Sequence, residues 1–152
     1  MNQPARAPFA PLRSLDDAVA EMLAHAQPLL PAEPVSTFDA DGRVLAQDVV
    51  SALQVPAVDN SSMDGYAVRC ADVATAGVVL PVSQRIAAGM DGAPLLPGTA
   101  ARIFTGAPVP AGADAIVMQE DCVAVDGGAV RINAVPPTGQ WIRRAGEDVR
   151  LG

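Results

Sequence analysis

The chain has 152 residues, half of them apolar and 18% charged, enough to bury a core in one domain with part of another and unlike a disordered composition. Its formal net charge is −7 and all its basic residues are arginine, with no arginine stripe along the sequence, which argues against nucleic acid as a partner. With one Trp, one Tyr and three Phe there is no material for a base-stacking platform, and the core falls to Val, Ile, Leu and Ala.

In chain order, residues 1–13 carry Pro4, Pro8 and Pro11 and read as an irregular lead-in. Ser14 can cap a helix over 14–27, with Asp16 and Asp17 favourably placed in its first turn. Leu15, Val19, Met22 and Ala26, with Leu23 beside them, form one apolar stripe, and Pro28 ends the helix. Pro28, Pro31 and Pro34 favour an extended connector. Val35–Phe38 reads as a short strand, Asp39–Gly42 as a turn, and 43–50 as a further segment with apolar Val44, Leu45, Val49 and Val50.

After Pro56, short β-prone runs alternate with Gly, Pro, Asp and Asn turns. The runs are 66–69, 78–87, 102–105, 115–119, 122–125 and 129–134, with Asp126-Gly127-Gly128 as a hairpin loop between the last two. No amphipathic run of helical length follows residue 56. Without crossover helices the sheet is expected to be antiparallel and barrel-like. The fold class is therefore mainly β: a barrel-like domain over 52–152, preceded by a helix-bearing lead-in over 1–31 and a linker or strand segment over 32–51.

Cys70 and Cys122 lie far apart and read as reduced, partly buried thiols. His25 has no neighbouring ligand for a metal site. No apolar run spans a bilayer, and the N-terminus lacks a signal-peptide pattern, so the expected location is cytoplasmic, away from any membrane.

Three stretches carry chemical information. In 55–69, Asp59, Asn60, Ser61 and Ser62 can bond to their own backbone and fix a loop. Asp64 then stands at a strand entrance beside Gly65, where a side chain would obstruct close approach; alone, such a pair is usually a turn. In 101–114, a strand ends at Thr105-Gly106, a hydroxyl and an open amide that could form an anion-contacting corner. In 141–149, Arg143 and Arg144 stand near Glu147 and Asp148 and could pair with them, which at a surface contributes about 0–1 kcal/mol. No Gly-rich phosphate loop is present. The residues alone lead to a β domain with a polar cleft.

Read together, D-N-S-x-M-D-G-Y-A-V-R at 59–69, R-I-x-T-G-A-P-V-P at 102–110, G-A-D-A-I-V-M-Q-E-D at 112–121, I-R-x-x-G-E-D-V at 142–149 and G-R-V-L-A-x-D-V-V at 42–50 resemble the molybdopterin molybdenumtransferase family, which includes MoeA and the gephyrin E domain. The resemblance covers nearly the whole chain in order. It implies molybdenum insertion from molybdate into adenylylated molybdopterin with release of AMP, with Mg2+ as the cation. It implies a homodimer whose cleft is shared between this β domain and an α/β domain of the partner subunit, and an upstream adenylylating enzyme as a further partner.

By motif, Asp64 and Thr105 are the candidate catalytic residues. Asp59, Asn60, Ser61, Gly65 and Gly106 shape the loop, Glu147 and Asp148 are structural, and no metal ligand is assigned. Family members continue past the last motif, so the chain is expected to be a part of the family's protein and inactive by itself. The helix packs elsewhere in the family, and its stripe is expected to be exposed here. Two rival readings remain, a scaffold such as gephyrin-like relatives provide and a free-standing ligand-binding β module.

Overall fold

The computed structural model describes residues 12–27 and 30–152, and the chain divides into two compact units, Met1–Asp48 and Val49–Gly152. Most of the expected lead-in, and Pro28 as a helix stop, lie outside the described residues.

In the first unit, helix α1 spans Leu15–Ala24, shorter at both ends than 14–27. Ser14 caps it: its Oγ accepts the Asp17 N–H at 3.1 Å and donates to the Asp17 carboxylate at 2.7 Å. No residue of α1 is buried, and Leu15 and Met22 on its apolar stripe are about three-quarters exposed. The strand expected at Val35–Phe38 is absent. Ser36 Oγ instead accepts the Phe38 N–H at 3.3 Å and starts a 3-10 turn over Thr37–Asp39. An extended segment needs a ladder partner for its backbone groups, and a serine that satisfies them locally favours the turn.

The second unit is built from eight strands: β1 (Asn60–Ser61), β2 (Gly65–Val68), β3 (Val78–Ile86), β4 (Ala100–Ile103), β5 (Ala115–Met118), β6 (Cys122–Val125), β7 (Ala129–Ile132) and β8 (Ile142–Arg143). Six of them form one curled sheet in the order β5-β2-β4-β3-β7-β6, a half-barrel, while β1 and β8 pair separately. The expected mainly β, barrel-like class holds, and the β6–β7 hairpin turns where the glycine pair predicts.

One pair departs from the antiparallel expectation. β3 and β4 run parallel, joined by residues 87–99 with no helix in between. A parallel return needs about a dozen residues of crossover, and this loop supplies that length while packing by itself. Leu95 seats its side chain in the core, and its N–H donates to Ala111 O at 2.8 Å. β3 also makes the sheet curl. Its first half pairs with β7 and its second half with β4, and the register shifts between Val82 and Gln84. Such a bulge bends a strand and increases its twist.

β2, β4 and β5 are covered on both faces. Val68, Ala100, Ala115 and Val117 pack with Leu80, Val130 and Ile132 on one side, while Ala67, Ala101, Ile103 and Ile116 pack with Ile86 and Leu95 on the other. Two-sided burial explains why β5, Ala115–Met118, reads as a continuous apolar run without alternation. β7 shows alternation, with Val130 and Ile132 buried and Arg131 exposed.

Leu95 is 5% exposed and its neighbour Leu96 is 63% exposed. Leu95→Ala should therefore destabilise the protein by about 2–5 kcal/mol, and Leu96→Ala by no more than about 0.5 kcal/mol. Urea unfolding midpoints of the two variants check this, and equal losses would show that the crossover does not rest on the core.

Candidate functional site

The loop from Val55 to Asp64 is held by the other two informative stretches. Val55 N–H donates to Val149 O at 2.8 Å, Gly146 N–H to Pro56 O at 2.9 Å, and Ser62 N–H to Trp141 O at 2.9 Å. The β1–β8 pair matches Asn60 with Arg143 and Ser61 with Ile142. On the other side Val109 N–H donates to Asp59 O at 3.0 Å, and Gly106 N–H to Ser61 O at 2.8 Å.

The side chains reinforce these contacts. Asp59 accepts the Ala145 N–H at 2.8 Å and the Arg144 guanidinium at 2.6 Å. Ser61 is buried, and its Oγ donates to Met63 O at 2.5 Å. The Asn60 and Ser62 side chains make no hydrogen bond to the described residues and are open polar groups of the loop.

Arg143 pairs with Asp148, whereas Arg144 reaches Asp59 and only its backbone N–H meets Glu147, at 3.0 Å. The local pairing of both arginines expected from the sequence is thus half replaced by a long-range one.

Asp64 and Thr105 meet directly. A single carboxylate oxygen, Asp64 Oδ1, accepts both the Thr105 N–H and the Thr105 hydroxyl, each at 2.8 Å. The Thr105 backbone N–H is the largest influence lowering the Asp64 pKa. The hydroxyl and the Arg102 charge add to it against a small desolvation, so the carboxylate is ionised at neutral pH. Asp64 Oδ2 accepts no hydrogen bond from the described residues.

The anion-contacting corner read from Thr105 and Gly106 is therefore not open: both Thr105 donors go to Asp64, and the Gly106 amide goes to Ser61 O. Gly106 has φ +80°, which explains why glycine stands there.

Gly65 is required by a neighbour in its own sheet. A Cβ at this position would stand 2.0 Å from Val117 O on β5, inside backbone that cannot yield. The close approach expected there is thus made by a strand. Arg102 completes the surround, donating to Gly65 O at 2.9 Å and to Gln119 Oε1 at 2.7 Å. Arg102 stands at the head of the 102–110 motif but had no role legible from the sequence, because its partners Gly65 and Gln119 are distant in the chain.

No group of three or more His, Cys, Asp or Glu side chains that could hold a metal ion occurs among the described residues. The thiols are not poised as nucleophiles: burial pushes Cys122 up to about 11, and burial with Asp114 raises Cys70. No helix of the described residues is long and apolar enough to cross a membrane.

Comparison with known proteins matches residues 13–152 to the family described as the MoeA N-terminal region (domain I and II). Molybdopterin molybdenumtransferase 2 of Mycobacterium tuberculosis H37Rv is 49% identical over 143 residues, covering 88% of this chain and 33% of the relative. Molybdopterin molybdenumtransferase of Synechococcus elongatus is 44% identical over 134 residues, covering 84% and 33%. The crystal structure of the molybdopterin biosynthesis MoeA protein from Pyrococcus horikoshii OT3 superposes with a TM-score of 0.72 at 34% identity, over 79% of this chain and 33% of that one. The chain spans about a third of the length of the curated relatives it matches.

Both loop carboxylates have folded pKa values below the ordinary 3.8: Asp59 through the Ala145 N–H and, against some desolvation, through Arg144, and Asp64 through Thr105. A lowered folded value means that the native state holds its proton less tightly than the unfolded chain. The stability they contribute is therefore complete above the ordinary carboxylate value and is lost as pH falls through the folded values. Melting temperature followed from neutral pH to below 3.8 should drop on the acid limb in the wild type. The drop should be shallower in Asp59→Asn, and an unchanged limb in that variant would remove Asp59 from the linkage.

Proposed function

This chain belongs to the family of the MoeA N-terminal region, and from that membership we propose that it forms one wall of the cleft of a molybdopterin molybdenumtransferase. The reaction is insertion of molybdenum from molybdate into adenylylated molybdopterin with release of AMP, in the cytoplasm, by a homodimer whose cleft is completed by an α/β domain of the partner subunit. An upstream adenylylating enzyme hands on the substrate. The observation that carries this reading is the Asp64–Thr105 contact, in which two separated sequence motifs meet.

What Asp64 can do follows from its environment. A carboxylate held ionised by two donors is a weak proton acceptor, so proton abstraction is not its best use. It keeps one oxygen, Oδ2, as a fixed negative acceptor. Such a group orients a donor on the substrate, or a water, relative to the reacting atoms, and orientation of this kind contributes strongly to rate. Thr105 positions Asp64, since its N–H and its hydroxyl are both directed to one oxygen of that carboxylate. No group of three or more metal-ligating side chains includes Asp64 among the described residues, so this segment by itself does not supply a ligand set for the family's Mg2+.

Two substitutions separate this role from simple turn capping. Asp64→Asn keeps an oxygen for both Thr105 donors and removes the charge, whereas Asp64→Ala removes both. In the full-length protein the Asn variant should melt near the wild type yet form cofactor at least about 100-fold more slowly. The Ala variant should be slow and also less stable. Wild-type turnover in Asp64→Asn would reduce Asp64 to a cap.

The 152-residue chain by itself should release no AMP from adenylylated molybdopterin with molybdate and magnesium. It has no lysine and no phosphate loop, and its net charge of −7 opposes a polyanion. AMP formation above a no-protein control would overturn the shared-cleft reading. Activity restored by mixing the chain with an Asp64-defective full-length protein would support it.

A further inference from the structure

A groove of about 540 Å3 opens where β2, β3 and β4 meet the β6–β7 hairpin. Tyr66, Arg102 and Arg85 lie side by side across it, since the register opposes Tyr66 to Arg102 and Arg102 to Arg85. Both guanidinium groups stack on one ring: Arg85 Cζ lies 4.3 Å and Arg102 Cζ 4.4 Å from the Phe104 centroid. The two cations are therefore within twice that distance of each other. Among the described residues no carboxylate lies within 4.0 Å of either one.

Arg85 makes no hydrogen bond to the described residues. Arg102 donates to Gly65 O, to Gln119 Oε1 and, at 3.5 Å, to Ile103 O, which fixes its plane and leaves two of its five N–H groups unengaged. In a chain of net charge −7, five other arginines, at 13, 43, 69, 143 and 144, have carboxylate partners. Arg102 feels Asp64 only at a distance, and two like charges gathered on one ring with no carboxylate in ion-pair contact repel unless an anion joins them. Stacking on an aromatic face with the fork edges free is the geometry that takes an oxyanion in two parallel hydrogen bonds. Val82, Ala124, Val125 and Ala129 give the groove an apolar side, Ser83 and Gln84 add polar groups, and the volume exceeds that of a bare ion and suits a small organic molecule.

We propose that this groove is a binding site for a small organic oxyanion. Its phosphate or carboxylate head sits between Arg85 and Arg102, and its apolar body lies against Val82 and Val125. The inference does not depend on the reaction proposed above, because its readout is binding by this chain. It also differs from the Asp64 site in charge: that site presents a carboxylate, and the groove presents two cations.

The test is a titration of the 15N-labelled 152-residue chain, at low ionic strength, with inorganic phosphate, phenyl phosphate and benzoate. Saturable amide shifts are expected at 83–85, 102–104 and 128. Phenyl phosphate should bind at least about 10-fold more tightly than inorganic phosphate, because its ring is buried as well. Arg85→Gln, which breaks no contact except the stack, should weaken phenyl phosphate by about 10-fold or more. Phe104→Leu should weaken it in the same direction. Arg131→Gln, exposed on β7 and outside the groove, should change it less than about 2-fold.

Benzoate binding as tightly as phenyl phosphate identifies a carboxylate occupant, and preference for phenyl phosphate identifies a phosphate ester. Both outcomes support the site. Absence of saturable shifts, shifts spread over the other arginines, or undiminished binding in Arg85→Gln overturns it.

Discussion

Two hydrogen bonds from Thr105 to one oxygen of Asp64 join parts of the chain 41 residues apart, and the geometry of the surrounding loop and strand ends depends on them. Asp64 stands where β2 begins and Thr105 just beyond the end of β4, so the contact sets how these antiparallel neighbours finish. The loop before Asp64 is pinned in turn by Gly106 to Ser61, Val109 to Asp59, and Ala145 with Arg144 to the Asp59 carboxylate. Each is a single exchangeable bond. Together they leave the loop few alternative shapes, and most of its backbone donors are already engaged within the chain.

Electrostatics then divides the surface of this acidic protein. The loop carboxylates are each given protein donors and remain ionised. Most arginines with a carboxylate in reach use it, and Arg85 and Arg102 instead share an aromatic ring. Cation–π contact on a half-buried ring contributes on the order of 0.5–2 kcal/mol, enough to hold the side chains in place without neutralising them. A net charge summed over the sequence hides this division, because opposite local fields cancel in it.

Much of the fold was legible because strands end at turns. The six strands of the main sheet were each placed within a few residues, since Gly, Pro, Asp and Asn punctuate the chain between β-prone runs. The parallel β3–β4 pair was not legible, because the rule that parallel strands need a crossover helix fails when an irregular loop buries its own Leu95. The β1–β8 pair was also missed: two residues per strand give no periodicity, and β8 is fixed by its partner alone. In the site, the motifs marked Asp64, Thr105, Asp59 and Gly65. They could not show that Asp64 and Thr105 touch, that the Gly106 amide is occupied, or that Arg144 crosses 85 residues to Asp59. Long-range partners leave no trace in local spacing.

β4 and the residues that follow it connect the two polar regions. Arg102 and Phe104, two residues apart, serve the groove, while Ile103 is buried in the core on the opposite face. Thr105, the next residue, turns to Asp64. Arg102 also donates to Gly65 O, the residue directly after Asp64, and its charge helps hold the Asp64 carboxylate ionised. A ligand that drew the Arg102 guanidinium toward the groove would have to share or stretch that bond. The strand entrance that carries Asp64 would sense it through one covalent step and one hydrogen bond. Coupling of this kind needs no moving domain, only a guanidinium whose donors are divided between the backbone and an anion.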